Sequence, residues 1–132
     1  MAWVGVVAAA ALIGAVLLDT FETMMLPRRV RHSYRLARLF YRSAWVLWRA
    51  AARLLPAGRR RQTFLSVFGP LSLFGLLVMW AAGLIAGFAL LHWSLGTALS
   101  FPRAADGTFA AYLYFSGTTF FTLGYGDVVP LR

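Results

Sequence analysis

The chain has 132 residues, 61% of them hydrophobic, and a mean hydropathy of +0.71, which excludes an ordinary soluble domain and defines a small integral membrane protein. Thirteen basic residues, all arginine, outweigh four acids for a formal charge of +9, yet eleven of them lie between Arg28 and Arg61, bracketed by apolar spans. That placement answers to the positive-inside rule and to anionic lipid, and argues against a nucleic-acid partner. There is no cysteine, so disulfides, thiol catalysis and cysteine-ligated metals are excluded.

Residues 1–27 read as an N-terminal transmembrane helix. Trp3 to Leu18 is an unbroken apolar run, and extension to Leu26 gives about 24 residues, or roughly 36 Å, enough to cross a bilayer. No basic residue precedes the run, so it is not a cleaved signal peptide, and the charges that follow place its N-terminus outside. Asp19 and Glu22 share one face at the inner end of this span. Two acids at a helix C-terminus oppose the macrodipole and need cationic partners. The favoured reading pairs them with Arg28, Arg29 or an arginine of the next segment; the other makes them a cation-attracting ring at an intracellular pore mouth. Pro27 ends the helix.

Residues 28–62 form a cytoplasmic, arginine-rich segment. Between Arg31 and Leu55 the arginines fall at 31, 35, 38, 42, 49 and 53, within an arc of roughly 60° at 100° per residue. Leu36, Phe40, Ala44, Leu47, Ala51 and Leu54 take the opposite side, with Tyr34, Tyr41, Trp45 and Trp48 on the flanks at headgroup level. The pattern predicts one amphipathic helix lying on anionic lipid. A solvated helix contacting another protein is the second reading, and a voltage-sensing helix the weakest, because such a helix repeats arginine every third residue and needs partner helices carrying acids. Pro56-Ala57-Gly58 is a turn, and Arg59-Arg60-Arg61 a basic anchor.

Residues 63–132 form the rest. An outer helix runs over 64–93, its membrane portion from Leu71 to Trp93 with Pro70 near the first turn. Gly75, Met79, Gly83 and Gly87 repeat every four residues, a small-residue stripe for close helix approach. His92 belongs at the outer interface. Residues 94–107, broken by Gly96, Pro102 and Gly107, are an extracellular loop. Asp106 or Thr108 caps a helix over 108–121 that is too short to span and too aromatic for a surface loop, so it is re-entrant and buried in protein. It aims its negative C-terminal end at the membrane interior.

After it comes Thr122-Leu123-Gly124-Tyr125-Gly126-Asp127. The two glycines permit backbone conformations that turn successive carbonyls to one side, and rings of such oxygens can replace a cation's hydration shell. This segment, behind a short apolar helix ending in Thr118-Thr119-Phe120-Phe121, resembles the potassium-channel pore domain, whose filter reads Thr-Val-Gly-Tyr-Gly-Asp in many members. The resemblance covers roughly residues 64 to 130. It implies an all-α membrane protein assembled as a homotetramer, with K⁺ as the transported ion. It further implies coordination of K⁺ by Thr122, Leu123, Gly124, Tyr125 and Gly126, with Asp127, Thr118 and Thr119 as filter support.

Two departures stand out. Thr118 occupies the position of a glutamate that braces the filter aspartate in many relatives, so Asp127 needs another partner, the hydroxyl of Thr118 or of Tyr114. The family also continues into an inner helix of about 20 to 25 residues, whereas this sequence stops five residues past Asp127. The expectation is a truncated portion of a longer subunit, with substitution by the first span as the alternative. The expected function is the pore-forming subunit of a K⁺-selective channel in the plasma membrane. A non-conducting regulatory subunit and a membrane-anchored interaction protein are its rivals. No enzyme is expected, since no triad, metal cluster or phosphate loop is visible and His32 and His92 lack catalytic partners.

Overall fold

The computed structural model describes residues 2–25, 36–54, 58–100 and 108–131. Pro27, Arg28, Arg29, Arg31, Arg35, Pro56, Pro102 and Asp106, which enter the sequence reading, lie outside the described residues. Four long or medium helices and one short one carry the fold: α1 (Ala2–Met25), α2 (Leu36–Ala52), α3 (Arg59–Ser66), α4 (Phe68–Leu95) and α5 (Phe109–Phe120). A two-stranded ladder, β1 (Leu99–Ser100) with β2 (Val129–Pro130), is the only sheet among the described residues. The protein is an all-α membrane protein.

Helix α1 spans 24 residues without a proline, and α4 spans 28. Both are long and apolar enough to cross a membrane, where a helix is the one local structure that satisfies every backbone group internally. Their outward side chains, Val7, Leu12 and Leu17 on α1 and Phe74, Leu77 and Val78 on α4, are exposed, as lipid-facing residues are.

The outer helix extends further at both ends than the sequence predicts, and it is broken once. Arg59, Arg60 and Arg61 are the first turn of α3, not a loop. The break falls at Val67, between α3 and α4. Its cause is Pro70, whose ring crowds the Ser66 carbonyl and offers it no N–H. Leu71 N–H still reaches the Val67 carbonyl at 3.2 Å, so α4 runs on directly.

The chain divides into two compact units, Met1–Leu17 with Ala81–Arg132, and Leu18–Trp80. In the first, the small-residue stripe does what its spacing predicts. A Cβ built on Gly83 would stand 2.9 Å from Val16 Cγ2, and one on Gly87 2.6 Å from Ile13 Cγ1. The order of these contacts makes α1 and α4 antiparallel neighbours here. Ala89, Leu99 and Tyr112 form a buried cluster, covered by Phe115 and Val128. The Tyr112 hydroxyl donates to the Thr97 carbonyl at 2.9 Å.

In the second unit, α2 is amphipathic but docks on a face turned roughly 50° from the one its arginine stripe predicts. Ala37 and Ala52 are buried, and Phe40 points its ring end at Gly75, where a Cβ would meet it at 2.9 Å. Trp48 is drawn inward: its ring stacks on Phe64 with centroids 4.3 Å apart, and its Nε1 donates to the Phe64 carbonyl at 3.1 Å. Trp45 meets Phe68 edge to face at 5.0 Å. These rings thus pack on protein instead of flanking the helix at headgroup level. Leu47 and Leu54, expected on the docked side, are 71% and 88% exposed. Large flat rings bury more area against a neighbouring helix than leucine does, and the indole N–H finds an acceptor there.

Candidate functional site

Helix α5 starts after Thr108, whose extended backbone (φ −77°, ψ 143°) fits a helix N-cap, and ends at Phe120, with Phe121 closing it. Its last turn is closed by two bonds. Thr122 N–H donates to the Thr119 carbonyl at 3.0 Å, and Leu123 N–H to the Thr118 carbonyl at 2.9 Å. This nested pair is a Schellman motif, which requires its C′ residue, here Thr122, to adopt the left-handed conformation. Thr122 has φ 55° and is the one non-glycine residue with positive φ among the described residues. For a β-branched side chain this is an outlier.

Gly124 and Gly126 follow with φ 52° and 73°. Positive φ therefore recurs at 122, 124 and 126. Every second residue has the φ of the left-handed region, so the segment does not follow the course of a β-strand, whose residues all have negative φ. The sequence makes this possible at the two glycines and gives no sign of it at the threonine.

Each expected site residue can now be placed. The Thr122 hydroxyl donates to the Phe121 carbonyl at 2.7 Å. Leu123 and Tyr125 are 53% and 68% exposed in the single chain. Asp127 accepts a hydrogen bond from Tyr114 Oη at 2.7 Å and, through its other oxygen, from Val128 N–H at 3.0 Å. Thr118, the other candidate partner, donates instead to the Phe115 carbonyl of its own helix at 3.0 Å. Its short side chain cannot reach past the turn that Tyr114 spans. Thr119 supplies its carbonyl to Thr122. Tyr114 lies outside both spanning helices, and its hydroxyl is held above the usual tyrosine range. The first cause is the bond it donates to Asp127, followed by desolvation and the nearby Asp127 and Tyr125 charges.

The chain beyond Asp127 is tied down by the ladder. Leu99 pairs with Pro130 and Ser100 with Val129, and Leu131 N–H donates to the Ala98 carbonyl at 2.9 Å. The segment 122–127 is thereby fixed at both ends, to α5 before it and to the residues behind α4 after it. The sequence predicts only a loop at 94–107, and this pairing is a feature that the structure adds.

Asp19 and Glu22 lie on α1. Asp19 is buried. Its two oxygens accept Ala37 N–H at 3.2 and 3.0 Å, and Oδ2 also accepts Trp80 Nε1 at 2.8 Å. The described partners of this acid are therefore a helix N-terminus and an indole, while Arg28 and Arg29, the expected partners, lie outside the described residues. Charge arithmetic on the sequence looks for cations and overlooks the first N–H groups of a helix, which are as good a partner for a carboxylate.

Residues 75–132 match a family model described as an ion channel. The match takes in α4 from Gly75 onward, α5, the segment 122–127 and β2, the same part of the chain that carries the pore-domain resemblance. No curated protein and no solved structure matches the chain.

Proposed function

We propose that the chain forms the pore of a K⁺-selective channel, with residues 122–126 as the filter. The observation that carries this reading is the run of positive φ at Thr122, Gly124 and Gly126 directly behind the C-terminal end of α5, a helix that buries Ala111, Tyr112 and Ser116 and leaves its other face exposed in the single chain. Carbonyls turned to one side can coordinate a dehydrated cation, and the negative end of α5 favours a cation at that point. Four copies around an axis complete the rings. In support, Leu123 and Tyr125, large apolar or aromatic groups exposed in the single chain, gain neighbours in such a homotetramer. Asp127, held by Tyr114, braces the outer end. K⁺ passes through as transported substrate, and no catalysis is involved.

The same reading places the N-terminus outside a plasma membrane and residues 28–62 in the cytoplasm. Helix α2 then lies on the inner leaflet. Arg38, Arg42 and Arg49 are exposed, and beside them Leu39 and Val46 are 67% and 61% exposed. A cationic stripe next to an uncovered apolar one is the pattern that binds anionic lipid.

The test is K⁺ against Na⁺ flux into liposomes holding the purified chain, with Gly124→Ala alongside. In whichever form conducts, the chain alone or the chain with an inner helix appended, wild type should pass K⁺ selectively and the variant should lose the preference, because a Cβ at φ 52° strains the filter backbone. An unchanged preference in the variant would remove the filter assignment.

A further inference from the structure

A partly open cavity of about 300 Å³ lies between α4 and α5. Ile85, Phe88 and His92 form one wall; Phe115, Ser116, Thr119 and Phe120 form the other. No charged side chain among the described residues lines it.

Ser116 is the anomaly. It is 6% exposed, and its hydroxyl has no hydrogen-bond partner among the described residues. A helical serine or threonine ordinarily turns its hydroxyl back onto a carbonyl three or four residues earlier. Ser43, Thr63, Ser66, Ser72 and Thr118 all do so in this protein. Ser116 forgoes that bond on the wall of the cavity, and a buried hydroxyl left unsatisfied is costly.

We propose that this cavity binds a neutral amphiphile, an aliphatic chain carrying one oxygen that pairs with the Ser116 hydroxyl. The apolar walls select the chain. The lack of a charged residue rejects an ionised head group, which would be buried unpaired. His92 narrows the cavity from the other wall: its Nδ1 lies 3.2 Å from Thr97 Oγ1, and its ring stands edge-on to Phe115 at 5.6 Å. At roughly 30 Å³ for a water-sized group, the space suits about ten heavy atoms. A free alcohol and the ester end of a lipid chain both offer this chemistry.

The site also touches the filter segment. Thr119 is both cavity wall and the acceptor for Thr122 N–H, so an occupant bears on the turn that starts residues 122–127. A resulting effect on conduction rests on the filter reading above; binding itself does not.

The experiment is photolabelling of the full chain with 3-azioctanol, followed by mapping of the labelled peptides, in detergent and in vesicles. Label should concentrate within 85–92 and 115–120 and be displaced by octanol far better than by octane. Ser116→Ala should weaken labelling about five- to tenfold, the worth of one hydrogen bond, and Ser116→Thr should retain it. Ile85→Trp, which fills the space, should abolish it. Labelling in detergent that phospholipid suppresses in vesicles assigns the lipid chain as occupant, and labelling in both media assigns the free alcohol.

Label spread evenly over exposed positions such as Leu77 and Val78, or unchanged in Ser116→Ala, would overturn the proposal. So would chain-to-chain crosslinks from a photoreactive residue at position 85, which would mean that a second copy fills the cavity. K⁺ flux in the same vesicles separates the two readings: labelling without selective flux leaves the site and removes the pore, and selective flux without labelling does the reverse.

Discussion

Gly96 and Thr122 occupy the same position in two copies of one structural motif. Gly96 ends α4: its N–H donates to the Trp93 carbonyl at 3.2 Å, and Thr97 N–H to the His92 carbonyl at 3.1 Å. Thr122 ends α5 with the same nested pair. The φ values are 61° and 55°. At Gly96 the left-handed conformation is free of steric cost, whereas at Thr122 it opposes the side chain, by about 1–2 kcal/mol.

Strain of this kind persists where function needs the residue. Thr122→Gly should therefore leave stability unchanged or raise it by up to about 1 kcal/mol, the relief of strain being partly offset by glycine's greater entropy loss on folding. On the proposed filter reading, the same change should lower K⁺ selectivity, since it deletes the hydroxyl at the start of residues 122–126. Gly96→Thr should destabilise by about 1–2 kcal/mol with selectivity intact. Thermal unfolding in detergent and liposome flux, measured on both variants, check the pair. A Thr122→Gly channel as selective as wild type would show that the threonine is not held there for its hydroxyl.

The contrast also marks what the sequence could reveal. Gly96, just past a long apolar run, is a legible helix stop. The spans themselves were legible because 24 residues of α1 and 28 of α4 exceed what a soluble core helix needs. The glycines at 83 and 87 announced a close helix neighbour by their spacing. Thr122 gave no such sign, because the C′ position of this motif prefers glycine and a β-branched residue argues against it. The ladder between 99–100 and 129–130 was invisible for another reason: two-residue strands carry no periodicity. The docked face of α2 was misjudged because charge patterning places the exposed side well and leaves the choice among apolar faces to ring packing.

Asp19 yields the second prediction. Its carboxylate receives both the N-terminus of α2 and the Trp80 indole. Asp19→Ala would leave two buried donors unpaired and should cost about 2–3 kcal/mol, with α2 becoming accessible to protease. Asp19→Asn keeps one acceptor but loses the charge that suits a helix N-terminus, so it should cost less, about 1 kcal/mol. Trp80→Phe should resemble the milder change. Equal stability of Asp19→Ala and wild type would mean that α2 is held by Phe40 and Trp48 alone.

Close packing of α1 and α4 provides the third. Gly87→Ala drives a Cβ into Ile13 Cγ1. Overpacking of this kind costs about 1–3 kcal/mol, more than the gain of up to about 1 kcal/mol from replacing a helical glycine. Gly83→Leu should be worse against Val16. Gly14, on the same α1 helix, has nothing within 4 Å, and Gly14→Ala should therefore stabilise by about 0.5–1 kcal/mol. Unfolding midpoints that move the same way for Gly14→Ala and Gly87→Ala would refute the close approach.

The last prediction concerns Tyr114 and Asp127. Ionisation of Tyr114 would break the hydrogen bond it donates to Asp127, and this first, then desolvation and the facing carboxylate, holds its pKa above the usual range. A group whose folded-state pKa is raised contributes stability that is complete below its unfolded value, about 10 for tyrosine, and that disappears as pH climbs through the folded value. The brace should thus be intact across neutral and mildly alkaline pH and fail only above the ordinary tyrosine range. Tyr114→Phe removes the bond at every pH, so its channels should inactivate faster at pH 7, whereas the wild type should acquire the same behaviour only in strong alkali. Phenolate absorbance on titration supplies the independent check: the variant should lack a tyrosine step that lies above the usual range. If Tyr114→Phe inactivates like wild type at pH 7, Asp127 is braced from elsewhere, and the Val128 N–H that it also accepts becomes the next contact to examine.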